Sequence, residues 1–111
     1  MDVGCDIVEI SRVRALARRN KRFFARVFTE AEIAYCKDHK DPWRHFAVRF
    51  AAKEAVWKAL DQEGLALRDI SVDRTERGKP HVLIKGKRAA NLKLSLSHGD
   101  DYAMAVALKV R

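Results

Sequence analysis

The segment Arg49-Phe50-Ala51-Ala52-Lys53-Glu54-Ala55-Val56-Trp57-Lys58 reads as the middle of a helix. Glu54 falls on one stripe with Phe50 and Trp57, at i, i+4 and i+7 spacing. If a carboxylate between two aromatics is partly buried, it needs a cation, a metal or a proton. Lys58, four residues on, is the ordinary partner, and Glu before Lys at this spacing is the favoured order. An ion pair on an amphipathic helix is therefore the bland reading of Glu54, and a metal ligand is the sharper one. Lys53 beside it is either exposed or, like Lys58, available to an anion.

Asp41-Pro42 supplies a helix start, an N-cap followed by proline in the first position, so this helix should run from Pro42 to about Asp61, with Gly64 as the stop. Before it, Thr29-Glu30-Ala31-Glu32 has the form of a capping box and predicts a helix to about Lys37. Ser11 is placed to cap a short helix beginning near Arg12, with Val13, Leu16 and Ala17 as its apolar stripe. Val3 to Ile10 is rich in β-branched residues and reads as a strand, interrupted by Asp6.

The second half changes period. Ile70–Asp73 and His81–Ile84 read as a hairpin around the turn Arg77-Gly78-Lys79-Pro80. The stretch from Gly86 to Asn91 reads as one helical turn. Leu92, Leu94, Leu96 and His98 alternate with Lys93, Ser95 and Ser97, a strand pattern, and Gly99-Asp100-Asp101 turns the chain into a last strand from Ala103 to Val110. Helices first and an antiparallel sheet after, with the N-terminal strand joining that sheet, make a single α+β domain over residues 1–111.

The 111 residues suffice for one modest core, and 48% hydrophobic with 34% charged residues describe a folded, water-compatible chain. No apolar run is long enough to span a membrane, and the first residues show no secretory signal. With only Cys5 and Cys36, the expectation is a cytoplasmic protein with free thiols. The net charge of +8 has a focus: Arg12, Arg14, Arg18, Arg19, Lys21, Arg22 and Arg26 follow one another with no intervening acid. Such a run expects an anionic partner.

Three segments carry polar residues where their local pattern wants apolar ones: Gly4-Cys5-Asp6-Ile7-Val8-Glu9-Ile10, the helical segment around Glu54, and Ser95 to Ala105 with its Ser95-Leu96-Ser97-His98 and Asp101-Tyr102-Ala103. Together they closely resemble the holo-(acyl-carrier-protein) synthase family, the small 4′-phosphopantetheinyl transferases. That family carries a G-x-D opening, a helical R-F-A-A-K-E-A-x-x-K-A, and S-x-S-H followed by D-Y-A. All three occur here in order, over nearly the whole chain, and Gly78-Lys79-Pro80 matches the family's G-K-P turn.

The resemblance implies the 4′-phosphopantetheinyl transferase fold and a transfer of 4′-phosphopantetheine from coenzyme A, the co-substrate, to a serine of an apo acyl carrier protein. Adenosine 3′,5′-bisphosphate is the by-product. It further implies Mg²⁺ held by Asp6 and Glu54, with Lys58 on the phosphate. His98 would lie by the 3′-phosphate of coenzyme A and Arg49 by the ribose-phosphate region. Gly78, Lys79 and Pro80 would form the adenine side. Arg12, with Arg14 and Arg19 beside it, would dock the acidic carrier. Family members of this size form homotrimers with active sites at subunit interfaces. The general base stays open between Glu54, directly or through a water, and a metal-bound water. One departure stands out: acidic Asp61-Gln62-Glu63-Gly64 follows Leu60 where the family often has a glycine-rich loop.

A same-fold transferase serving polyketide or peptide-synthesis carriers is the nearest alternative to fatty-acid service. A basic nucleic-acid-binding module is the alternative of another class. The charge fits it, but no helix-turn-helix, RNP-like aromatic pair or zinc-finger spacing appears, and Asp6 and Glu54 would have no task. The expectation is therefore no nucleic acid and no membrane partner. Cys36, His39 and His45 suggest zinc more thinly still, for want of a fourth ligand.

Overall fold

The long helix expected around Glu54 forms as α4 (Pro42–Leu60) and carries the core in a computed structural model that describes residues 1–61, 64–74 and 76–111. Before it come β1 (Asp2–Glu9), α1 (Ile10–Arg19), α2 (Phe23–Val27) and α3 (Glu30–Lys37). After it come a 3-10 turn at Leu67–Asp69, β2 (Ile70–Arg74), β3 (Pro80–Ile84), β4 (Lys87–Arg88), β5 (Leu92–His98) and β6 (Tyr102–Lys109). The class is α+β, as expected, and the N-terminal strand does join the C-terminal ones. The strands divide, however, into two antiparallel three-stranded sheets, β1-β6-β5 and β2-β3-β4.

Small residues set how helix meets sheet. Ala51, Ala52, Ala55 and Ala59 of α4 are all buried, as are Ala103, Ala105 and Ala107 of β6. Gly4 of β1 sits against α4, where an added Cβ would lie 2.0 Å from the Ala55 carbonyl oxygen. With so little side chain between them, α4 packs close over β1 and β6. The register then places Gly4, Asp6 and Val8 of β1 opposite Ala107, Ala105 and Ala103. Alternation turns the other residues outward: Ile7, Tyr102, Met104 and Val106 stay well exposed on the far face.

Local signals explain most boundaries, and four expectations are corrected. The Thr29–Glu32 capping box forms as predicted. Ser11 is not a cap: α1 starts at Ile10 directly off β1, and the Ile10 N–H donates to the Asp101 carbonyl at 2.8 Å. The helix α4 stops before Gly64, because Asp61 itself turns left-handed at φ 47°. Asp tolerates that conformation better than most residues. The Gly86–Asn91 stretch holds β4 and no helical turn. Lys85 (φ 51°) and Gly86 (φ 84°) form the two-residue turn, both residues at positive φ, that tight hairpins favour. Finally, α2 was not expected at all. The run of basic residues hid its apolar pair Phe23 and Val27.

Lys53 meets neither reading offered for it. It is fully buried, with Nζ 2.6 Å from Glu32 Oε1, and it donates to the carbonyls of Leu67 (3.3 Å) and Ile70. Glu32 also accepts from the backbone N–H groups of Thr29 (3.0 Å) and Val72 (3.2 Å). Burial lowers the Lys53 pKa, and the Glu32 carboxylate opposes that shift. One buried ion pair thus ties α3, α4 and β2 together and keeps Lys53 away from any ligand.

Candidate active site

The contact of Gly4 with α4 decides what happens two residues later. Asp6, on the same face of β1, lands beside Lys58, whose Nζ lies 3.4 Å from Asp6 Oδ1. The same ammonium donates to the Cys5 carbonyl at 3.0 Å. Lys58 therefore pairs with Asp6, and not with Glu54 as intrahelical spacing favours. Glu54 lines one cavity of about 400 Å³ with Asp6, Arg12, Leu16, Phe50 and Tyr102. Its carboxyl is pushed up from the usual range by burial first and by the neighbouring Asp6 second, with Lys58 opposing. Phe50 shares this cavity as the stripe predicted. Trp57 does not; its Nε1 donates to the Leu65 carbonyl at 3.0 Å and holds the chain after α4.

Arg49 and His98 do not line this cavity, and both act by their charge on His45. Arg49 is buried, its Cζ 4.2 Å from the centre of the Tyr35 ring. No carboxylate lies within ion-pair distance of it among the described residues. His45, one turn earlier on α4, is surrounded by positive charge. Its pKa is pulled down to about 4 by burial first, then by His39, Arg49, His98 and Arg74. The sequence reading weighed His45 only as a zinc ligand and missed it here. The signal was its position four residues before Arg49, on the same helix face. The zinc idea itself has no support in the geometry. His39 Nδ1 donates to the Tyr35 carbonyl at 2.7 Å, and Cys36 is buried with its thiol pushed up to about 11.

The remaining predicted residues lie elsewhere. Gly78 adopts φ +83° in the β2–β3 turn, and its carbonyl accepts from Arg74 at 2.6 Å. Lys79 and Pro80 line a cavity of about 440 Å³ with His81, Arg88, Leu92 and Leu94. Of the basic residues of α1, Arg12 faces the Asp6–Glu54 cavity. Arg14 faces another one, with Glu9, Asp41, Asp100 and Asp101. Arg19 is exposed seven residues from Arg12, on the same helix face. One chain thus brings together Asp6, Glu54, Lys58 and Arg12, while Arg49 and His98 line two other cavities, that of His98 bordered by Ile7 and Tyr102. Arg74, whose charge acts on His45, also ties in the Gly78 carbonyl of the β2–β3 turn.

Residues 2–107 match the model of the 4′-phosphopantetheinyl transferase superfamily. The chain belongs to this superfamily. Its relatives within the superfamily are holo-(acyl-carrier-protein) synthases, which makes it an enzyme of the phosphopantetheinyl transferase kind. That of Caldanaerobacter subterraneus subsp. tengcongensis is 41% identical over 97% of this chain and 93% of its own length. That of Thermodesulfovibrio yellowstonii is 43% identical over 93% and 92%. Among solved structures, the Bacillus anthracis synthase in complex with CoA (3′,5′-ADP) superposes with a TM-score of 0.82. It is 31% identical, covering 96% of this chain and 93% of that one. The Helicobacter pylori synthase in complex with coenzyme A gives 0.79 at 29% identity, covering 96% and 97%.

Proposed function

We propose that this transferase moves the 4′-phosphopantetheine arm of coenzyme A onto a serine of an apo acyl carrier protein, in the cytoplasm, with Mg²⁺ as cofactor. The observation that carries the reading is the Asp6–Glu54 cavity: two carboxylates from different elements, partly buried together, with one lysine and one arginine beside them.

The donor set suits a hard divalent cation. Two adjacent carboxylates disfavour each other's charge, which is the source of part of the Glu54 shift. Mg²⁺ takes one or two carboxylates and completes its six oxygens with water and phosphate. When bound, it would neutralise the pyrophosphate and bear charge on the leaving oxygen. Asp6 and Glu54 would hold it. Lys58, freed from Asp6 by the incoming cation, would face the phosphate oxygens. The serine oxygen forms a bond to the β-phosphorus as the bond to the bridging oxygen breaks. Adenosine 3′,5′-bisphosphate leaves with the bond's electron pair, and the serine proton passes to Glu54, directly or through a water. Phe50 and Leu16 keep one wall of the cavity dry, which strengthens these charge interactions.

Arg12, at the mouth of the same cavity, would receive the acidic carrier, with Arg19 on the same face. Arg49 and His98 would take the 3′-phosphate end of coenzyme A, and Gly78, Lys79 and Pro80 the adenine. These groups reach the carboxylates when a neighbouring copy of the chain supplies them, as in a homotrimer. The outward apolar face of Ile7, Met104 and Val106 is the surface such an assembly would cover.

The test is direct. The protein, coenzyme A, Mg²⁺ and an apo acyl carrier protein are combined, and the carrier is weighed by mass spectrometry. The expected result is a phosphopantetheine adduct that disappears with EDTA and with Asp6→Asn. No adduct on fatty-acid, polyketide or peptide-synthesis carriers would overturn the reading.

A further inference from the structure

The basic group around Arg49 contains more than the two residues assigned above. Tyr35, His39 and His45 form a ring stack: Tyr35 and His39 lie 4.5 Å apart, and His39 and His45 3.8 Å, centre to centre. The Arg49 guanidinium covers the Tyr35 ring, and its Nη1 is 3.5 Å from the His45 carbonyl. The stack draws on α3, the turn after it, and α4, while Arg74 comes from the end of β2 and His98 from the end of β5. Carboxylates border the group: Asp38 next to His39, Asp100 two residues after His98 and 3.7 Å from Arg44, and Glu32 and Asp73. Glu32 is held by Lys53. Asp73 accepts from the Arg74 N–H at 2.9 Å and sits 3.9 Å from His81 Nε2. The charges that act most on His45 are nonetheless those of His39, Arg49, His98 and Arg74, all basic.

We propose that His45 is a further specificity residue for coenzyme A, taking up a proton when the 3′-phosphate arrives and thereby coupling nucleotide binding to pH. The inference rests on the function proposed above. Without a ligand, His45 stays neutral at pH 7, first because burial disfavours the charged ring and second because His39, Arg49, His98 and Arg74 repel a further charge. A phosphate monoester brings up to two negative charges into the group and reverses that repulsion. The imidazole then gains by becoming a cation and a second donor. The proton comes from solvent and no bond is made or broken. His39 Nδ1 donates to the Tyr35 carbonyl, which fixes its ring against that of His45.

The readout is calorimetry of nucleotide binding at pH 7 in two phosphate-free buffers of different ionisation enthalpy. Coenzyme A and 3′-dephospho-coenzyme A are the ligands. Wild type should take up more protons than His45→Phe on binding coenzyme A, by a difference of up to about one per site. The difference should vanish with dephospho-coenzyme A. His45→Phe and His45→Gln should both bind coenzyme A about tenfold more weakly and leave dephospho-coenzyme A unchanged. Equal proton uptake in wild type and both variants would overturn the proposal and assign any uptake to His98 or the phosphate. Equal weakening of both ligands would also overturn it, making the stack structural only. Failure of wild type to bind either ligand would sink the functional reading itself.

Discussion

Replacing Gly4 by alanine tests how the carboxylate pair is built. The added Cβ would lie 2.0 Å from the Ala55 carbonyl oxygen, 2.8 Å from the Ala59 nitrogen and 3.0 Å from the Ala55 carbonyl carbon. A tolerable carbon–oxygen approach is about 3.3 Å, so β1 must retreat by roughly 1.3 Å. Every obstacle is backbone of α4, so no side chain can swing aside. Two residues on, the same retreat would open the 3.4 Å contact of Lys58 with Asp6 to as much as about 4.7 Å, beyond ion-pair distance. Overpacking of this kind costs about 1–3 kcal/mol of stability. A misplacement of about 1 Å at a reacting centre costs about 100-fold in rate. Urea denaturation and kcat/KM for carrier modification measure the two effects. Circular dichroism at the assay temperature establishes that the variant is folded. Adding Ala55→Gly should not rescue it, because the clash is with the carbonyl and not with the alanine methyl. A folded Gly4→Ala enzyme with near wild-type kcat/KM would refute the reasoning.

Four further outcomes are expected. Lys53→Met leaves Glu32 charged and unpaired in the core and should cost about 3–5 kcal/mol in urea denaturation, most of it recovered in Lys53→Met with Glu32→Gln. The pKa of His45 is depressed from 6.5 to about 4, so the unfolded chain binds more protons than the folded one between these values. Stability should therefore fall as pH drops from 6.5 toward 4, and His45→Phe should flatten that part of the Tm–pH curve. A thiol reagent at pH 8 should label exposed Cys5 and spare Cys36, whose buried thiol is pushed up to about 11; labelling of Cys36 before unfolding would contradict its burial. Arg12→Glu should raise KM for the carrier at low salt, and the gap to wild type should narrow as salt is added.

Much of the fold was written in local patterns. The Thr29–Glu32 box, Asp41-Pro42 and the alternation from Leu92 to His98 each name an element by short-range chemistry, and each element forms. The residues that misled are those whose partners are distant in sequence. Glu32 looked fully explained by its cap, yet it also holds Lys53 and the Val72 N–H. A lysine in a helix reads as exposed unless the buried acid opposite it is known. Lys85 in a left-handed turn has no sequence signature, so β4 went unseen. In the site, Asp6 and Glu54 were legible because a carboxylate among apolar neighbours is costly anywhere. That Lys58 turns to Asp6 was not, because the approach of β1 to α4 depends on a row of alanines whose meaning appears only when they meet.

On the proposed homotrimer reading, the carboxylates of one chain work with the His98 of a neighbouring copy. Defects in the two groups then belong to different subunits at each site. A chain crippled at Asp6 and a chain crippled at His98 are each inactive alone. Mixed and allowed to exchange subunits, they would form some sites that inherit the intact half of each. Activity recovered from two dead preparations would follow the statistics of subunit assortment, and a cell carrying both alleles would keep part of the activity.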